Sequence, residues 1–210
     1  MKKAFWIAFV LFPLGLGATF SSNLPKQNVL PPLYFTPNLG QFGDENPSIA
    51  QAVIPGGAVF VTRHGIRIRM EHPEDIGNKH QAHHFRGKDT QFTVRYHVSD
   101  IVFDGGGSAS KVQYLDPAPF YENYFLGPDP ANWRAAIQPV SKIVLSDVYP
   151  HIDVAIYFNN QNLEFDWILY SGADPNLIAL RLDPSNQWQL KQNQILIQNR
   201  SEEHTSELQS

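Results

Sequence analysis

The amino-acid sequence predicts an all-β fold, an antiparallel β-sandwich-like domain. The strongest signal is a strict alternation of apolar and polar residues on both sides of the polar turn 159–162. The alternating apolar residues are Val154, Ile156, Phe158, Leu163, Phe165, Trp167 and Leu169. Because successive side chains of a strand point to opposite faces, we expect all of them on the core side of one hairpin. The 16 prolines and 14 glycines favour short strands joined by tight corners, and no segment has a convincing helical period.

Further strands are predicted along the rest of the chain. They cover residues 58–62, 66–70, 91–98, 111–115, 122–126, 178–182, 188–190 and 195–197. The first two form a hairpin around Arg63 and His64, in which Gly65 is free to adopt positive φ. Residues 39–43 are typical of a compact turn. Asp129 is expected to cap a single helical turn within residues 130–135.

The N-terminus has the pattern of a secretory signal peptide, which we place at residues 1–18. Lys2 and Lys3 form its charged region, residues 4–16 its apolar region, and residues 15–18 offer small side chains for cleavage. The alternative is a retained membrane anchor, for which the apolar run is short. We therefore expect a secreted or cell-surface protein without a membrane span after signal cleavage, and a flexible lead-in over residues 19–32.

The C-terminal residues 200–210 are set apart as a non-native tail. Their sequence, RSEEHTSELQS, resembles the translation of a common sequencing adapter. His204 and the acidic residues of this tail are therefore given no functional meaning. The β-sandwich-like domain then spans residues 33–199. We expect it to be truncated at its C-terminus, with the natural protein continuing past Asn199.

Composition excludes several classes of function. The absence of cysteine excludes disulfides, a lipid-attachment cysteine and thiol catalysis. The net charge is −4 and becomes −2 without the tail, which carries one Arg and three Glu. No basic stripe supports binding to nucleic acid. No Gly-x-Ser-x-Gly elbow, P-loop or dinucleotide fingerprint is present in the sequence. We expect no cofactor and no enzymatic activity.

Five short motifs occur in order along the chain. They are NLGQF at 38–42, NYFLGPDPANWR at 123–134, VYPHIDV at 148–154, LEFD at 163–166 and GADP at 172–175. Together they resemble the uncharacterised N-terminal β-domain of large secreted bacterial proteins from Bacteroidetes-like organisms, which carry SBBP-type β-propeller repeats or a C-terminal sorting domain. The resemblance implies a non-catalytic structural or adhesion module. Its implied partners are the downstream β-propeller or adhesion modules of the same full-length chain.

The motif residues are given structural roles. Asp129 and Asp174, each followed by proline, are expected to fix corners of the chain. Trp133 is expected to cover the edge of the core beside residues 123–127. Asp153 follows the Pro150 corner and is expected to bond nearby backbone N–H groups. The motif residues are Asn123, Tyr124, Phe125, Gly127, Trp133, Tyr149, Pro150, Asp153, Glu164, Asp166, Gly172, Asp174 and Pro175.

Two chemical hypotheses compete with these structural roles. His80, His83 and His84 are candidate metal ligands, because neutral imidazole binds zinc and copper, although their spacing fits no zinc motif. Glu164 and Asp166 are a candidate acid–base pair for glycoside hydrolysis. Alternation places both carboxylates opposite the core face, where we expect them to be solvated.

A third hypothesis is the binding of a surface glycan. Tyr121, Tyr124 and Trp188 are its candidate residues, because exposed aromatic faces suit sugar rings. The same side chains could equally belong to the core. A carbohydrate-binding module is therefore the alternative to a structural or adhesion module.

Overall fold

The computed structural model describes residues 5–13, 31–43, 47–72, 75, 94–191 and 194–198, and most of its regular structure is β-strand. The strands are β1 (Phe5–Pro13), β2 (Thr36–Pro37), β3 (Ala50–Ile54), β4 (Gly57–Thr62), β5 (Gly65–Glu71), β6 (Tyr96–Phe103), β7 (Lys111–Pro117), β8 (Glu122–Tyr124), β9 (Arg134–Ile137), β10 (Val140–Tyr149), β11 (Ile152–Asn159), β12 (Asn162–Leu169), β13 (Leu180–Leu182), β14 (Gln187–Lys191) and β15 (Gln194–Gln198). Short 3₁₀ turns are formed by Pro130–Asn132 and Pro175–Leu177. Within the described ranges, no helix has the length and apolar character needed to cross a membrane.

The strands form two large sheets and a small one. The seven-stranded sheet has the order β14-β15-β1-β12-β11-β10-β7, the six-stranded sheet has the order β13-β6-β5-β4-β3-β2, and β8 pairs with β9. Buried apolar side chains from both large sheets form one core cluster, so the two sheets pack against each other. At its centre, the Trp167 ring lies 5.2 Å from the Phe103 ring of the other sheet, measured between centroids. The predicted all-β, sandwich-like fold is confirmed.

The β11–β12 hairpin has the predicted register. Asn159 pairs with Asn162 at the turn, and Ile156 lies opposite Phe165. The side chains of Ile156 and Phe165 are completely buried. A slip of one residue would turn the whole apolar set of both strands away from the core, which is why the register is well specified.

Strand β1 lies inside the seven-stranded sheet, between β12 and β15. It pairs antiparallel with β12 over seven residue pairs and parallel with β15 over four pairs. Every other ladder between the described strands is antiparallel. Strand β1 falls within the predicted signal peptide, and cleavage of that segment stays a prediction.

The β4–β5 hairpin forms where predicted, but its glycine is needed for a different reason. Gly65 pairs with Thr62 across the turn and does not have positive φ. A Cβ atom at Gly65 would lie 2.1 Å from the backbone oxygen of Ile101 in β6. The prediction of positive φ at Gly65 is therefore wrong. Glycine is required because two backbones approach closely at this point.

An ion pair joins the residues on either side of the segment 76–93. Asp75 Oδ1 lies 2.8 Å from Arg95 Nη2, and Asp75 Oδ2 accepts hydrogen bonds from the Arg95 backbone N–H at 2.9 Å and from Nε at 3.0 Å. The bonds from the guanidinium, followed by the backbone bond, lower the pKa of Asp75 from 3.8 to about 2. The carboxylate is therefore held in its charged form at neutral pH.

We expect this ion pair to make stability depend on pH in the acid range. Because the folded pKa is the lower one, its contribution is complete above the unfolded value of 3.8 and is lost as the pH falls through about 2. The difference in Tm between the wild-type protein and Asp75→Asn should be largest near pH 5 and should shrink toward pH 2. Arg95→Met should show the same dependence. A difference in Tm that does not change with pH would contradict the assigned role of the carboxylate charge.

Candidate functional site

The motifs NLGQF and NYFLGPDPANWR meet in space. Phe42 packs edge-on against Tyr124, with ring centroids 5.5 Å apart. Arg134 Nε donates a hydrogen bond of 2.7 Å to the carbonyl oxygen of Leu39, although the two residues are 95 positions apart. The loop after β2 and the β8–β9 hairpin therefore form one unit.

The loop 38–42 is held by its own amide side chains. Asn38 Oδ1 accepts a hydrogen bond of 2.9 Å from the Gly40 N–H, and Gln41 Oε1 accepts one of 2.6 Å from the Leu39 N–H. Gln41 Nε2 donates to the Pro37 carbonyl oxygen at 2.6 Å. Gly40 has a φ of 96°, which a side chain would strain. The loop is thus fixed by local bonds that leave the Leu39 side chain exposed.

Polar side chains of the β8–β9 hairpin bond within the same unit. Glu122 Oε2 accepts hydrogen bonds of 2.8 Å from the hydroxyls of Thr36 and Tyr124. Burial, with the nearby Glu122 carboxylate, raises the pKa of the Tyr124 hydroxyl, so this group stays a donor. Asn123 Oδ1 accepts a bond of 2.8 Å from the Ala136 N–H.

The connection between β8 and β9 is fixed by a cap and an arginine. Asp129 Oδ1 accepts a hydrogen bond of 2.9 Å from the Ala131 N–H and caps the 3₁₀ turn, as the sequence predicts. Arg134 Nη1 donates to the carbonyl oxygens of Ala131 and Trp133 at 2.8 and 2.9 Å. These charged groups are therefore used to shape the backbone of the unit.

Four large apolar side chains remain exposed on this unit, and we call them the aromatic surface. They are Leu39, Phe125, Leu126 and Trp133, with exposed fractions of 57, 59, 57 and 40%. The rings of Phe125 and Trp133 meet edge to face with centroids 5.4 Å apart, and Trp133 Nε1 donates to the Gly127 carbonyl oxygen at 3.1 Å. Single exposed apolar residues are common, but exposed apolar residues in direct contact, as Phe125 and Trp133 are, are typical of an interaction surface.

The expected role of Trp133 needs a correction. Trp133 does lie beside residues 123–127, but it does not cover the edge of the core. Its ring partner, Phe125, is more exposed than Trp133 itself, and neither residue belongs to the core cluster. The physical reason is that β8 and β9 form a separate small sheet outside the two packed layers.

The motifs VYPHIDV and GADP meet at a different corner, where a Cβ atom at Gly172 would lie 3.7 Å from the His151 ring. Asp153 Oδ1 accepts a hydrogen bond of 2.8 Å from the Asp147 backbone N–H, and Asp153 Oδ2 accepts one of 3.1 Å from the Tyr170 hydroxyl. The register of β10 shifts between Leu145 and Tyr149, and Asp147 has a φ of 54°. Asp153 therefore bonds a backbone N–H at an irregular strand, the type of contact that the sequence predicts.

This second corner is also tied to neighbouring loops. The Tyr149 hydroxyl lies 2.8 Å from the Ala179 carbonyl oxygen, and burial raises its pKa. Asp174 Oδ1 accepts a hydrogen bond of 3.0 Å from the Asn176 N–H and caps the 3₁₀ turn that begins at Pro175. Gly172 has a φ of 90° just before this turn, and Pro150 occupies the exposed turn between β10 and β11. The contacts at this corner support a structural role.

Glu164 and Asp166 are buried, with exposed fractions of only 8 and 7%, so the prediction that they are solvated is wrong. Tyr157 donates to Asp166 Oδ2 and Asn159 Nδ2 donates to Glu164 Oε1, each at 3.0 Å. Lys142 Nζ lies 5.2 Å from the centroid of the Tyr157 ring. Burial, together with these carboxylates, raises the pKa of Tyr157. The alternation places both carboxylates on the predicted face, but the side chains of Tyr157 and Asn159 on β11 bond them there and limit the access of water.

The other candidates are not brought together into one site. Tyr121 is 62% exposed before β8, Tyr124 is half-buried beside Phe42, and Trp188 is half-buried on β14, where it packs against the core. Outside the described residues lie His80, His83 and His84. In the part of the chain that the structure describes, no group of three His, Asp or Glu residues is placed to hold a metal ion.

Comparison with known proteins identifies a family but no characterised relative. Searches among curated proteins and among solved structures find no match. A domain family of unknown function matches residues 35–208, most of the chain. The matched range contains the aromatic surface, the second corner and the β11–β12 hairpin. The chain belongs to the DUF7948 family, a domain of unknown function.

Proposed function

We propose that this protein is a non-catalytic extracellular structural or adhesion module that docks another protein module through the aromatic surface. The observation that supports this proposal is that the polar and the apolar side chains of this unit have different roles. Its polar side chains bond inward to hold the loops, while Leu39, Phe125, Leu126 and Trp133 stay exposed. Protein interfaces have this character at their centre, where aromatic residues are enriched and charged residues are depleted.

The polar side chains of this unit are bonded to its own backbone, which favours a protein partner over a sugar. A sugar site needs polar side chains that are placed around an aromatic ring to bond hydroxyl groups. Here the Trp133 indole N–H, the Asp129 carboxylate and the Arg134 guanidinium are all bonded to the backbone of the unit. The partner surface should therefore be apolar and uncharged where it contacts these side chains. We infer that it belongs to another module of the same full-length protein.

Carbohydrate binding is the second candidate, and one observation favours it. Tyr121 presents 62% of its surface to solvent next to β8. Aromatic rings with this exposure can stack on sugar rings. A glycan array distinguishes the two proposals, because saturable glycan binding that is lost in Tyr121→Ala would replace docking by carbohydrate recognition.

The docking proposal predicts a site-specific crosslink within the full-length natural protein. A photoreactive benzoylphenylalanine placed at Leu126 should crosslink to a peptide of another module of the same protein, identified by mass spectrometry. The double variant Phe125→Ser/Trp133→Ser should lower the crosslink yield by about tenfold or more, because central aromatic residues dominate interface energies. The same photoreactive group at Val53, which is 73% exposed on β3, is the matched control and should give no such crosslink. Equal yields at the two positions would contradict the proposal.

A further inference from the structure

The outer face of the six-stranded sheet carries an arginine that is held between two aromatic rings. The guanidinium carbon of Arg69 lies 5.1 Å from the centroid of the Phe60 ring and 4.8 Å from the centroid of the Tyr96 ring. Arg69 is on β5, and the two rings come from β4 and β6, the strands on either side of it. Contact with two aromatic rings fixes the position of the cation but leaves its charge in place.

Arg69 differs from the other described arginines because its guanidinium has no acceptor. The others each bond an oxygen atom of this chain; they are Arg63, Arg67, Arg95, Arg134 and Arg181. Among the described residues, none forms a hydrogen bond or an ion pair with the Arg69 side chain, and its Nε is buried. A guanidinium is a planar group of donors that matches a carboxylate. The two terminal nitrogens of Arg69 are therefore available to an external anion.

The surroundings of Arg69 on this face are apolar and exposed. Val98 lies directly opposite Arg69 on β6, and on the other side Ala58 of β4 lies between Arg69 and Val53 of β3. Residues that are opposite each other in register share a face of the sheet. Val53 is 73% exposed, Val98 38% and Tyr96 47%, so the cation lies within an open apolar patch. We call this group the Arg69 site, which consists of Val53, Phe60, Arg69, Tyr96 and Val98.

The other charges of this face favour a single anionic group over a polyanion. Arg67, two residues before Arg69 on the same face, is neutralised by Asp100 through two hydrogen bonds of 2.7 and 2.8 Å. Asp100 and Glu71 place two carboxylates on this face, since residues two positions apart on a strand point the same way. A highly charged polymer would be repelled by these carboxylates. A ligand with one carboxylate can bond Arg69 while the rest of it contacts apolar side chains.

We propose that the Arg69 site binds a small monocarboxylic acid with an aryl or alkyl body. The carboxylate accepts hydrogen bonds from the two terminal nitrogens of Arg69, and the apolar body lies against Val98 and Tyr96. The two rings hold the guanidinium in place before the ligand binds, which reduces the entropy that binding costs. The Arg69 site shares no residue with the aromatic surface, so either proposal can fail without the other.

The test is an NMR titration of the full chain with 4-phenylbutanoate at neutral pH. The backbone amide signals of Arg69 and Val98 should shift and reach saturation. Two further probes separate the parts of the ligand. Acetate has the carboxylate without the apolar body, and 4-phenylbutan-1-ol has the apolar body without the charge. Each should bind at least about tenfold more weakly than 4-phenylbutanoate, because each lacks either the buried apolar area or the charge-assisted hydrogen bonds.

Variants of the site identify the groups that bind the probe. Arg69→Gln should weaken the binding of 4-phenylbutanoate by at least about tenfold, because it removes the charge. Arg69→Lys keeps the charge without the planar donors, so its affinity should lie between the two, and it also serves as the test if Arg69→Gln is not folded. Tyr96→Ala should weaken binding by about two- to fivefold, because one ring that orients the guanidinium is lost. Arg181→Gln is the matched control and should bind like the wild-type protein, since Arg181 on β13 is already bonded to Asp104.

Three outcomes would overturn the proposal. In the first, Arg69→Gln or Arg69→Lys binds 4-phenylbutanoate as tightly as the wild-type protein, so the guanidinium does not recognise the carboxylate. In the second, 4-phenylbutan-1-ol binds as tightly as 4-phenylbutanoate, which would indicate apolar adhesion without recognition of the charge. In the third, the amide signals of Arg69 and Val98 do not shift, or shift linearly without saturation, so no site for this class of ligand exists on the outer face.

Discussion

Trp167→Ala is expected to lower the free energy of unfolding by about 3–5 kcal/mol, the range found for large aromatic residues removed from a packed core. The Trp167 side chain is completely buried, and its ring contacts those of Phe103, Tyr149 and Phe165 at centroid distances of 5.2, 5.7 and 6.2 Å. Phe103 belongs to the six-stranded sheet, so the substitution opens a cavity between the two layers. Urea unfolding of the full chain, followed by circular dichroism, measures the effect.

The chain provides a matched control in Trp133→Ala, the same substitution at a surface position. Trp133 is 40% exposed and lies outside the core cluster. Trp133→Ala should therefore lower the free energy of unfolding by no more than about 1 kcal/mol. Trp167→Phe should lower the free energy of unfolding by less than about 2 kcal/mol. It keeps an aromatic ring and removes a buried N–H that has no partner among the described residues. Equal losses for the two alanine variants would contradict the placement of the core.

The β11–β12 hairpin could be predicted because its information is local. The alternation and the polar turn at Asn160 and Gln161 determine both the register and the face that is buried. The caps at Asp129 and Asp174 could be predicted for the same reason, since an Asp–Pro pair acts on the next two residues. Where one segment specifies its own geometry, sequence is sufficient.

Strand β10 could not be predicted in this way, although it spans ten residues. Its register shifts between Leu145 and Tyr149, which interrupts the alternation. Val144 and Leu145 are neighbours in sequence and are both buried, because this strand is covered on both faces at that point. A strand of this kind has no period of two from which it could be recognised.

Burial itself depends on neighbours that are distant in sequence. Trp133 and Trp167 are the same residue type, yet the first remains exposed and the second is at the centre of the core. The same holds for Asp166. Alternation correctly predicts the face of β12 on which it lies, but its burial depends on the strands beside β12. The contact between Arg134 and Leu39, which assembles the aromatic surface, joins segments 95 residues apart. No pattern within either segment specifies that pairing.

Gly65→Ala is expected to lower the free energy of unfolding by about 1–3 kcal/mol or more, the cost of forcing extra volume into a packed site. A Cβ atom at this position would lie 2.1 Å from the Ile101 carbonyl oxygen, and that oxygen belongs to the backbone of β6, so no side chain can move aside. Strands β5 and β6 must separate locally instead. The Phe103 N–H, which donates to the His64 carbonyl oxygen at 2.8 Å beside this contact, should then exchange with deuterium faster than in the wild-type protein.

Gly107→Ala is the matched control for this prediction, because a Cβ atom there meets nothing within 4 Å and Gly107 does not have positive φ. Its free energy of unfolding should stay within about 1 kcal/mol of the wild-type value and could rise, since alanine restricts the unfolded chain more than glycine does. Both variants lose the same glycine flexibility in the unfolded state. The difference between their free energies of unfolding therefore measures the effect of the close approach between the Gly65 and Ile101 backbones alone. If Gly65→Ala were as stable as Gly107→Ala, the separation of β5 and β6 at Ile101 would be larger than the structure gives, and the glycine would be dispensable there.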